Sequence, residues 1–292
     1  MRALFRWSLV TVLLAALCPG LALAAPASPP AASEGAQQPA FDRGVFATVC
    51  RLSHEAPDDP IVYPGQAGKS HLHDFFGNVT TDAASTYDSL RAGANTCRTA
   101  EDSSGYWVPA LYQDGTEVKP TFMKVYYRTG RHDPASIQAF PPGFRMIAGD
   151  STATGAQSLR TAFWLCQRNL DPTGPQPGGP SATPPTCPAG NPLTLHVLFP
   201  ECWDGVSTDS PDHKSHMAYG SAGGCPADHP VALPSLAMIA HYPISGDPGA
   251  ITLASGGQYS AHGDFFNAWN QDFLAQSVST CLNAMVRCGV QR

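Results

Sequence analysis

Two histidines separated by a single residue are the clearest sign of metal chemistry in this chain. Residues 70–74 read Ser-His-Leu-His-Asp, which places imidazoles at His71 and His73. In an extended segment, side chains at i and i+2 point to the same side with Cβ atoms about 7 Å apart, so one ion could contact both rings. Turn-forming Gly65 and Gly77 flank the segment. The spacing therefore predicts a ligand pair on a short strand near the surface.

Other histidines lie in similarly polar, non-repetitive segments and could complete the site. His216 ends an Asp-His-Lys-Ser-His run, and His262 is followed by Gly-Asp. A catalytic zinc ion takes three protein ligands and a water molecule, and imidazole also suits copper. We therefore expect His71, His73, His216 and His262 to bind a single divalent metal ion, zinc or copper. His241, which precedes Tyr-Pro, is a further candidate for binding.

Two aspartates beside these histidines could orient a ring or transfer a proton. Asp74 follows His73 directly, and Asp264 lies two positions after His262. A carboxylate can hold a metal-binding imidazole through its second ring nitrogen, or it can act as a base. We expect Asp74, Asp264 and His216 to be the catalytic side chains. The alternative for Asp264 is that it merely caps the N-terminus of a helix.

Trp203 is the tryptophan most able to contact a ligand. It lies between Cys202 and an Asp-Gly pair, and a flat indole face can pack against a sugar ring. Trp164 and Trp269 fall within apolar patterns, so they are expected in the core. Trp203 is therefore predicted to be a binding residue.

The elements that must position these side chains are mostly short strands. The 27 glycines and 28 prolines break long helices, and short apolar runs rich in β-branched and aromatic residues recur between turn signals. Across residues 264–285 the apolar positions recur every three to five residues, which predicts a helix with one buried face. The pattern predicts a mainly β fold, a single β-sandwich-like domain with long loops, disulfides and a C-terminal helix.

The N-terminal residues have the layout of a secretory signal. Residues 1–24 combine Arg2 and Arg6, an apolar run and a small-residue exit, and residues 25–40 form an Ala-, Pro- and Ser-rich leader. The domain is therefore predicted to span residues 41–292 of a secreted protein, extracellular or periplasmic. Eight of the nine cysteines follow the signal, which predicts up to four disulfides, with about 105 pairings open.

Composition and missing motifs exclude several classes of protein. A net charge of -6 offers nothing to neutralise a phosphate backbone, so we expect no nucleic acid partner. No run of about 18 apolar residues follows the signal, so the mature chain is expected to lack an integral membrane segment. The chain also lacks the H-E-x-x-H and G-x-S-x-G signatures of common metalloproteases and serine hydrolases. The oligomeric state is left open.

Five short phrases occupy residues 70–77, 199–205, 212–216, 225–230 and 262–265. Taken together, they resemble a secreted family found in bacteria and fungi, the domain of unknown function 1996. The resemblance would cover roughly residues 41–288, and it includes all four expected metal ligands. It implies no established activity. The frequent association of fungal relatives with partners that bind cell-wall carbohydrate implies an extracellular glycan as the partner.

Three functions are compatible with these residues. The first is a metal-dependent enzyme that acts on an extracellular polysaccharide through the histidine cluster. The second is a non-catalytic glycan-binding or cell-wall-associated module, in which the histidines form a satisfied polar network. The third is a metal-free glycan lyase, in which His216 or His71 removes a proton and Asp264 positions it.

Overall fold

The computed structural model describes residues 44–167 and 177–289. The predicted signal and leader lie outside the described residues. The described elements, in chain order, are the strands β1 (Val45–Cys50), β2 (Leu52–Ala56), β3 (His73–Gly77), β4 (Gly105–Pro109), β5 (Leu111–Gln113), β6 (Thr116–Glu117), β7 (Phe122–Arg128), β8 (Arg145–Gly149), β9 (Ala162–Cys166), β10 (Leu193–Leu198), β11 (Cys202–Trp203), β12 (Met217–Ala218), β13 (Val231–Ala232), β14 (Ser235–His241), β15 (Ile251–Leu253), β16 (Gly256–Gly257) and β17 (His262–Phe266), and the helices α1 (Tyr87–Ala92) and α2 (Gln271–Ser277). No helix among the described residues is long and apolar enough to cross a membrane.

Two five-stranded antiparallel sheets form the body of the fold. Sheet A has the strand order β1-β7-β14-β10-β9, and sheet B has the order β2-β3-β4-β17-β8. Two smaller sheets, β12-β11-β13 and β16-β15-β5-β6, extend the fold through short strands. The mainly β fold predicted from the sequence is confirmed.

Alternation along the strands gives sheet B two buried faces. Phe76 and Phe265 belong to the main apolar core together with Met238 of sheet A, so this face packs between the two sheets. Phe75 and Phe266, their immediate neighbours, belong to a second apolar cluster that also contains Leu90 of α1. The segment that connects β2 with β4 covers this second face. His73, the first residue of β3, and His71 just before it lie on the same face.

Four disulfides connect the eight cysteines of the described residues. The pairs are Cys50–Cys97, Cys166–Cys187, Cys202–Cys225 and Cys281–Cys288. The predicted number is confirmed, and the structure selects one connectivity among the many that the sequence allowed. The Cys166–Cys187 bridge ties the described part of the Gly- and Pro-rich loop to the end of β9.

The C-terminal helix is confirmed, but its predicted start at residue 264 is wrong. Asp264 lies within β17, and helix α2 begins after Asn270, whose side chain accepts a hydrogen bond from the Phe273 amide. A π-helical turn over Val278–Asn283 follows α2. Because both faces of β17 are buried, its apolar residues do not alternate with polar ones, and their spacing continued the helical pattern by coincidence.

Candidate metal centre

The candidate centre lies where β3 and β17 approach each other over β4. Both outer strands pair with β4, which therefore lies between them in sheet B. His73 is the first residue of β3 and His71 lies two positions earlier, while His262 is the first residue of β17. Strand alternation points His71 and His73 to one side, and His262 and Asp264 likewise share a side. The sheet thus brings together residues that are far apart in the sequence.

Three imidazole nitrogens meet at this point. Nε2 of His262 lies 3.1 Å from Nε2 of His71 and 3.4 Å from Nε2 of His73. The three rings offer ligand atoms that all lie within 4.8 Å of one another. Zn–N bonds of about 2.0–2.1 Å at a tetrahedral angle place two nitrogens about 3.3 Å apart. The two distances from Nε2 of His262 are therefore close to the spacing that a zinc ion requires.

Main-chain carbonyls determine which nitrogens carry hydrogen. Nδ1 of His73 lies 3.0 Å from the Asp58 carbonyl oxygen, and Nδ1 of His262 lies 2.9 Å from the Ser260 carbonyl oxygen. A carbonyl oxygen only accepts, so in the neutral rings each Nδ1–H donates and each Nε2 presents a lone pair. The contact between the two Nε2 atoms is therefore no hydrogen bond. A cation between them would convert this repulsion into coordination.

Two buried carboxylates lie beside the imidazoles. Oδ2 of Asp264 is 4.0 Å from Nε2 of His262 and has no hydrogen-bond partner among the described residues. Asp59 forms a second compact group with His73 and Asp264, and its Oδ1 accepts the amide hydrogen of Ile61. A buried carboxylate without a partner is unfavourable unless a cation or proton neutralises it. Asp264 thus fits a fourth ligand or an acceptor for a metal-bound water.

Burial controls the protonation of the whole group. Desolvation lowers the pKa of His71 and lowers that of His262 to about 3. Desolvation, with help from the neighbouring imidazoles, also lowers the pKa of His73 well below its usual value. The neutral imidazole is the form that binds metal. Desolvation also raises the pKa of Asp264 well above its usual range, with the Asp59 charge as a second cause. Neutral imidazoles are therefore the ligands that this centre would offer to a cation.

A pocket of about 250 Å³ lies against the histidine cluster. The residues that line it include His71, His262, Asp264, Asp59, His213 and Lys214. A small molecule or a substituent of a larger one could therefore reach the centre.

His216 is not brought to the other three histidines. It is almost fully buried, and both of its ring nitrogens lie within hydrogen-bond distance of other groups. Nδ1 lies 2.9 Å from Ser210 Oγ, and Nε2 lies 2.8 Å from the Arg145 carbonyl oxygen. Its ring packs edge-on against Phe144. His216 therefore stabilises a loop through these contacts and does not join the other predicted metal ligands.

Asp74 points away from the imidazoles. It follows His73 on β3, so strand alternation directs it to the opposite face of sheet B. There it forms a compact carboxylate group with Glu55 and Glu117. Burial, followed by the Glu55 and Glu117 charges, raises the pKa of Asp74 to about 8. The structure therefore does not place Asp74 where it could orient His71 or His73.

The two predicted binding residues lie outside the pocket. His241 is fully buried at the end of β14 in sheet A, where its ring stacks on Phe122 at 4.2 Å between centroids. Trp203 is partly buried, donates its indole N–H to the Ser207 carbonyl oxygen, and packs edge-on against Phe144. Neither is among the residues that line the pocket.

Sequence reasoning missed two residues of this region. Asp59 lies in an Asp-Asp-Pro segment that carries no recognisable ligand spacing. His213 lies in the same short phrase as His216, and nothing in the sequence separates their roles. His213 has a left-handed backbone with φ of 60°, a conformation that the residue types alone did not predict.

Comparison with family models assigns the chain to a protein family. A model described as "Domain of unknown function (DUF1996)" matches residues 59–269. The chain belongs to this family. The matched region contains His71, His73, His262 and Asp264, so the whole candidate centre falls within the family domain. The resemblance seen in the sequence is confirmed. No curated protein and no solved structure was found to match the chain.

Proposed function

We propose that this DUF1996 protein is a secreted metal-dependent enzyme that acts on an extracellular polysaccharide. Its single metal ion, zinc or copper, is held by His71, His73 and His262, with Asp264 beside it. The observation that carries the proposal is the 3.4 Å contact between the Nε2 atoms of His73 and His262, whose Nδ1 atoms both face carbonyl oxygens. Zinc is favoured because two of the three nitrogen–nitrogen distances, 3.1 and 3.4 Å, are close to the spacing in a tetrahedral zinc site.

The location and the substrate class rest on separate support. Four disulfides require an oxidising compartment, which agrees with the signal-like N-terminus. An exported enzyme meets polysaccharides as abundant substrates, and the pocket beside the metal ligands is large enough for one sugar residue or its substituent. The pocket would expose that group to a Lewis acid while the rest of the polymer stays outside.

Metal analysis of untagged protein tests this function. We expect about one equivalent of zinc or copper per chain in the wild type, and loss of most of it in His71→Gln and His262→Gln. His54→Gln is the matched control, because His54 is a partly buried imidazole that stacks on Phe75 outside the cluster. Wild-type protein that carries no metal and gains no thermal stability from added zinc or copper would contradict the proposal.

The same variants separate the two alternatives. Product release from a polysaccharide by metal-depleted wild-type protein would favour the metal-free lyase. Unchanged glycan affinity in His71→Gln, without turnover by any form of the protein, would favour the non-catalytic module.

A further inference from the structure

A second imidazole system lines the same pocket as the candidate metal centre. His213 adopts a left-handed backbone with φ of 60°, which is uncommon for a residue with a side chain and costs about 1–2 kcal/mol. Asp212 fixes the turn, because its Oδ1 accepts hydrogen bonds from Ser210 Oγ and from the amides of Lys214 and Ser215. Strained residues of this kind concentrate at functional sites.

A carboxylate orients the His213 ring. Nδ1 of His213 lies 2.9 Å from Oδ1 of Asp209, and the other oxygen of Asp209 lies 3.3 Å from a guanidinium nitrogen of Arg145. Because Asp209 is paired with Arg145, its carboxylate accepts the Nδ1–H of His213. Nε2 then carries a lone pair, and it makes no hydrogen bond among the described residues.

His213 shares a pocket with the candidate metal ligands. His213, His71, His262 and Asp264 all line it. Burial raises the pKa of Asp59, and a positive charge on the His213 ring would oppose that rise. Because Asp59 groups tightly with His73 and Asp264, His213 lies near the metal ligands, and a group bound in the pocket would lie beside both.

We propose that His213 is the general acid–base of this enzyme, that Asp209 is its positioning residue, and that the substrate is an acyl group carried by a sugar. The inference rests on the proposed metal-dependent function. A Lewis acid paired with a base suits a carbonyl, whose oxygen a metal polarises directly. The volume of about 250 Å³ is below the 300–1,000 Å³ typical of drug-sized ligands, which suits an acyl substituent better than a chain of sugars.

The proposed step is a hydrolysis. Nε2 of His213 takes a proton from a water molecule while the remaining hydroxide adds to the acyl carbon. The bond from that carbon to the sugar oxygen or nitrogen breaks, and the leaving atom keeps the electron pair. The His213 imidazolium returns its proton to the leaving atom. Ester or amide plus water therefore gives a carboxylic acid and a free sugar hydroxyl or amine, with no net change in the enzyme.

Acetate release tests the proposal on a polysaccharide and an oligosaccharide that carry the same acyl group. Acetylated xylan presents O-acetyl esters, and chitohexaose presents N-acetyl amides. We expect the zinc-loaded full chain to release acetate from at least one of them. His213→Asn should lower kcat about 10²–10⁴-fold with metal content unchanged, and asparagine tolerates the left-handed backbone. Asp209→Asn should lower kcat by less, with KM nearly constant.

His229→Gln is the matched control. His229 also lies beside an aspartate, with Nδ1 3.1 Å from Asp228, but it does not line the pocket, so its variant should keep wild-type kcat. A metal-loaded wild type that releases no acetate from either saccharide, or a fully active His213→Asn, would overturn this inference and leave the metal centre intact. Absence of metal from the wild type would instead overturn the proposed function.

Discussion

A buried carboxyl outside the candidate metal centre should make the stability of this protein depend on pH. Asp102 is completely buried in the main core. Its two oxygens accept hydrogen bonds from the Ser104 amide at 3.1 Å and the Tyr106 hydroxyl at 2.7 Å. The Tyr106 oxygen lies 2.6 Å from that of Tyr127, which also accepts the indole N–H of Trp269. The protonation state of Asp102 therefore affects a chain of buried hydrogen bonds that extends to Trp269.

Burial is the main reason why the pKa of Asp102 rises from 3.8 to about 7. Hydrogen bonds from Tyr106 and Ser104 and the charge of Arg91 oppose the rise without cancelling it. Because the folded state holds this proton more tightly than the unfolded state, its stabilising effect is complete below about pH 4 and is lost as pH rises to about 7. The shift of about 3 pKa units corresponds to about 4 kcal/mol in total.

Urea unfolding of wild type and Asp102→Asn between pH 5 and pH 8 measures this effect. Chelator is present throughout and the disulfides stay intact. The variant has no carboxyl at this position, so the free energy of unfolding of Asp102→Asn relative to wild type should increase by about 2 kcal/mol from pH 5 to pH 7, then level off. Asp272→Asn, at an exposed position of α2, controls for the loss of one surface charge.

Two outcomes would refute this reasoning. One is a stability difference between Asp102→Asn and wild type that stays constant from pH 5 to pH 8. The other is a difference that falls as pH rises, because it would mean that the folded state binds this proton less tightly than the unfolded chain.

Three further predictions concern the metal centre and the scaffold. Zinc at about 100 times its Kd should raise the free energy of unfolding by about 2.7 kcal/mol, or the Tm by about 5–11 °C in calorimetry, and His71→Gln should remove most of this gain. Gly149→Ala should cost more than about 1 kcal/mol in urea unfolding, because φ is 88° and the new Cβ would lie 2.7 Å from Cα of His262; unchanged stability would contradict this. Replacing Cys202 and Cys225 with serine should cost about 2–4 kcal/mol in the same assay, and a smaller loss under reducing conditions would confirm that the bridge is the cause.

Local spacing in the sequence was enough to find part of the centre. The i and i+2 relation of His71 and His73 survives in the structure because the segment enters a strand, where alternation places both rings on one side. The same alternation directs Asp74 to the face opposite His73, since adjacent strand residues diverge. The mainly β fold followed from short apolar runs and frequent turn residues, which depend only on local physics.

Contacts between residues that are far apart in the chain could not be predicted from the sequence. In the sequence, His216 and His262 lie in equally polar segments. Only the pairing of β17 with β4 brings His262 to His73, whereas His216 stabilises a loop. The left-handed backbone of His213 depends on hydrogen bonds to Asp212 that form once the turn is closed. Strand order and turn geometry, which are set by the whole chain, decide both cases.

The distance along the chain between the two halves of the centre determines when an ion can be bound. His71 and His73 precede His262 by 191 and 189 positions, so an unfolded chain cannot hold the three nitrogens together. If the centre binds metal as proposed, loading would follow assembly of sheet B, and the free energy of binding would then add to the stability of the native state. The supply of metal in the compartment where the chain folds would thus regulate its lifetime there, independently of how fast it is synthesised.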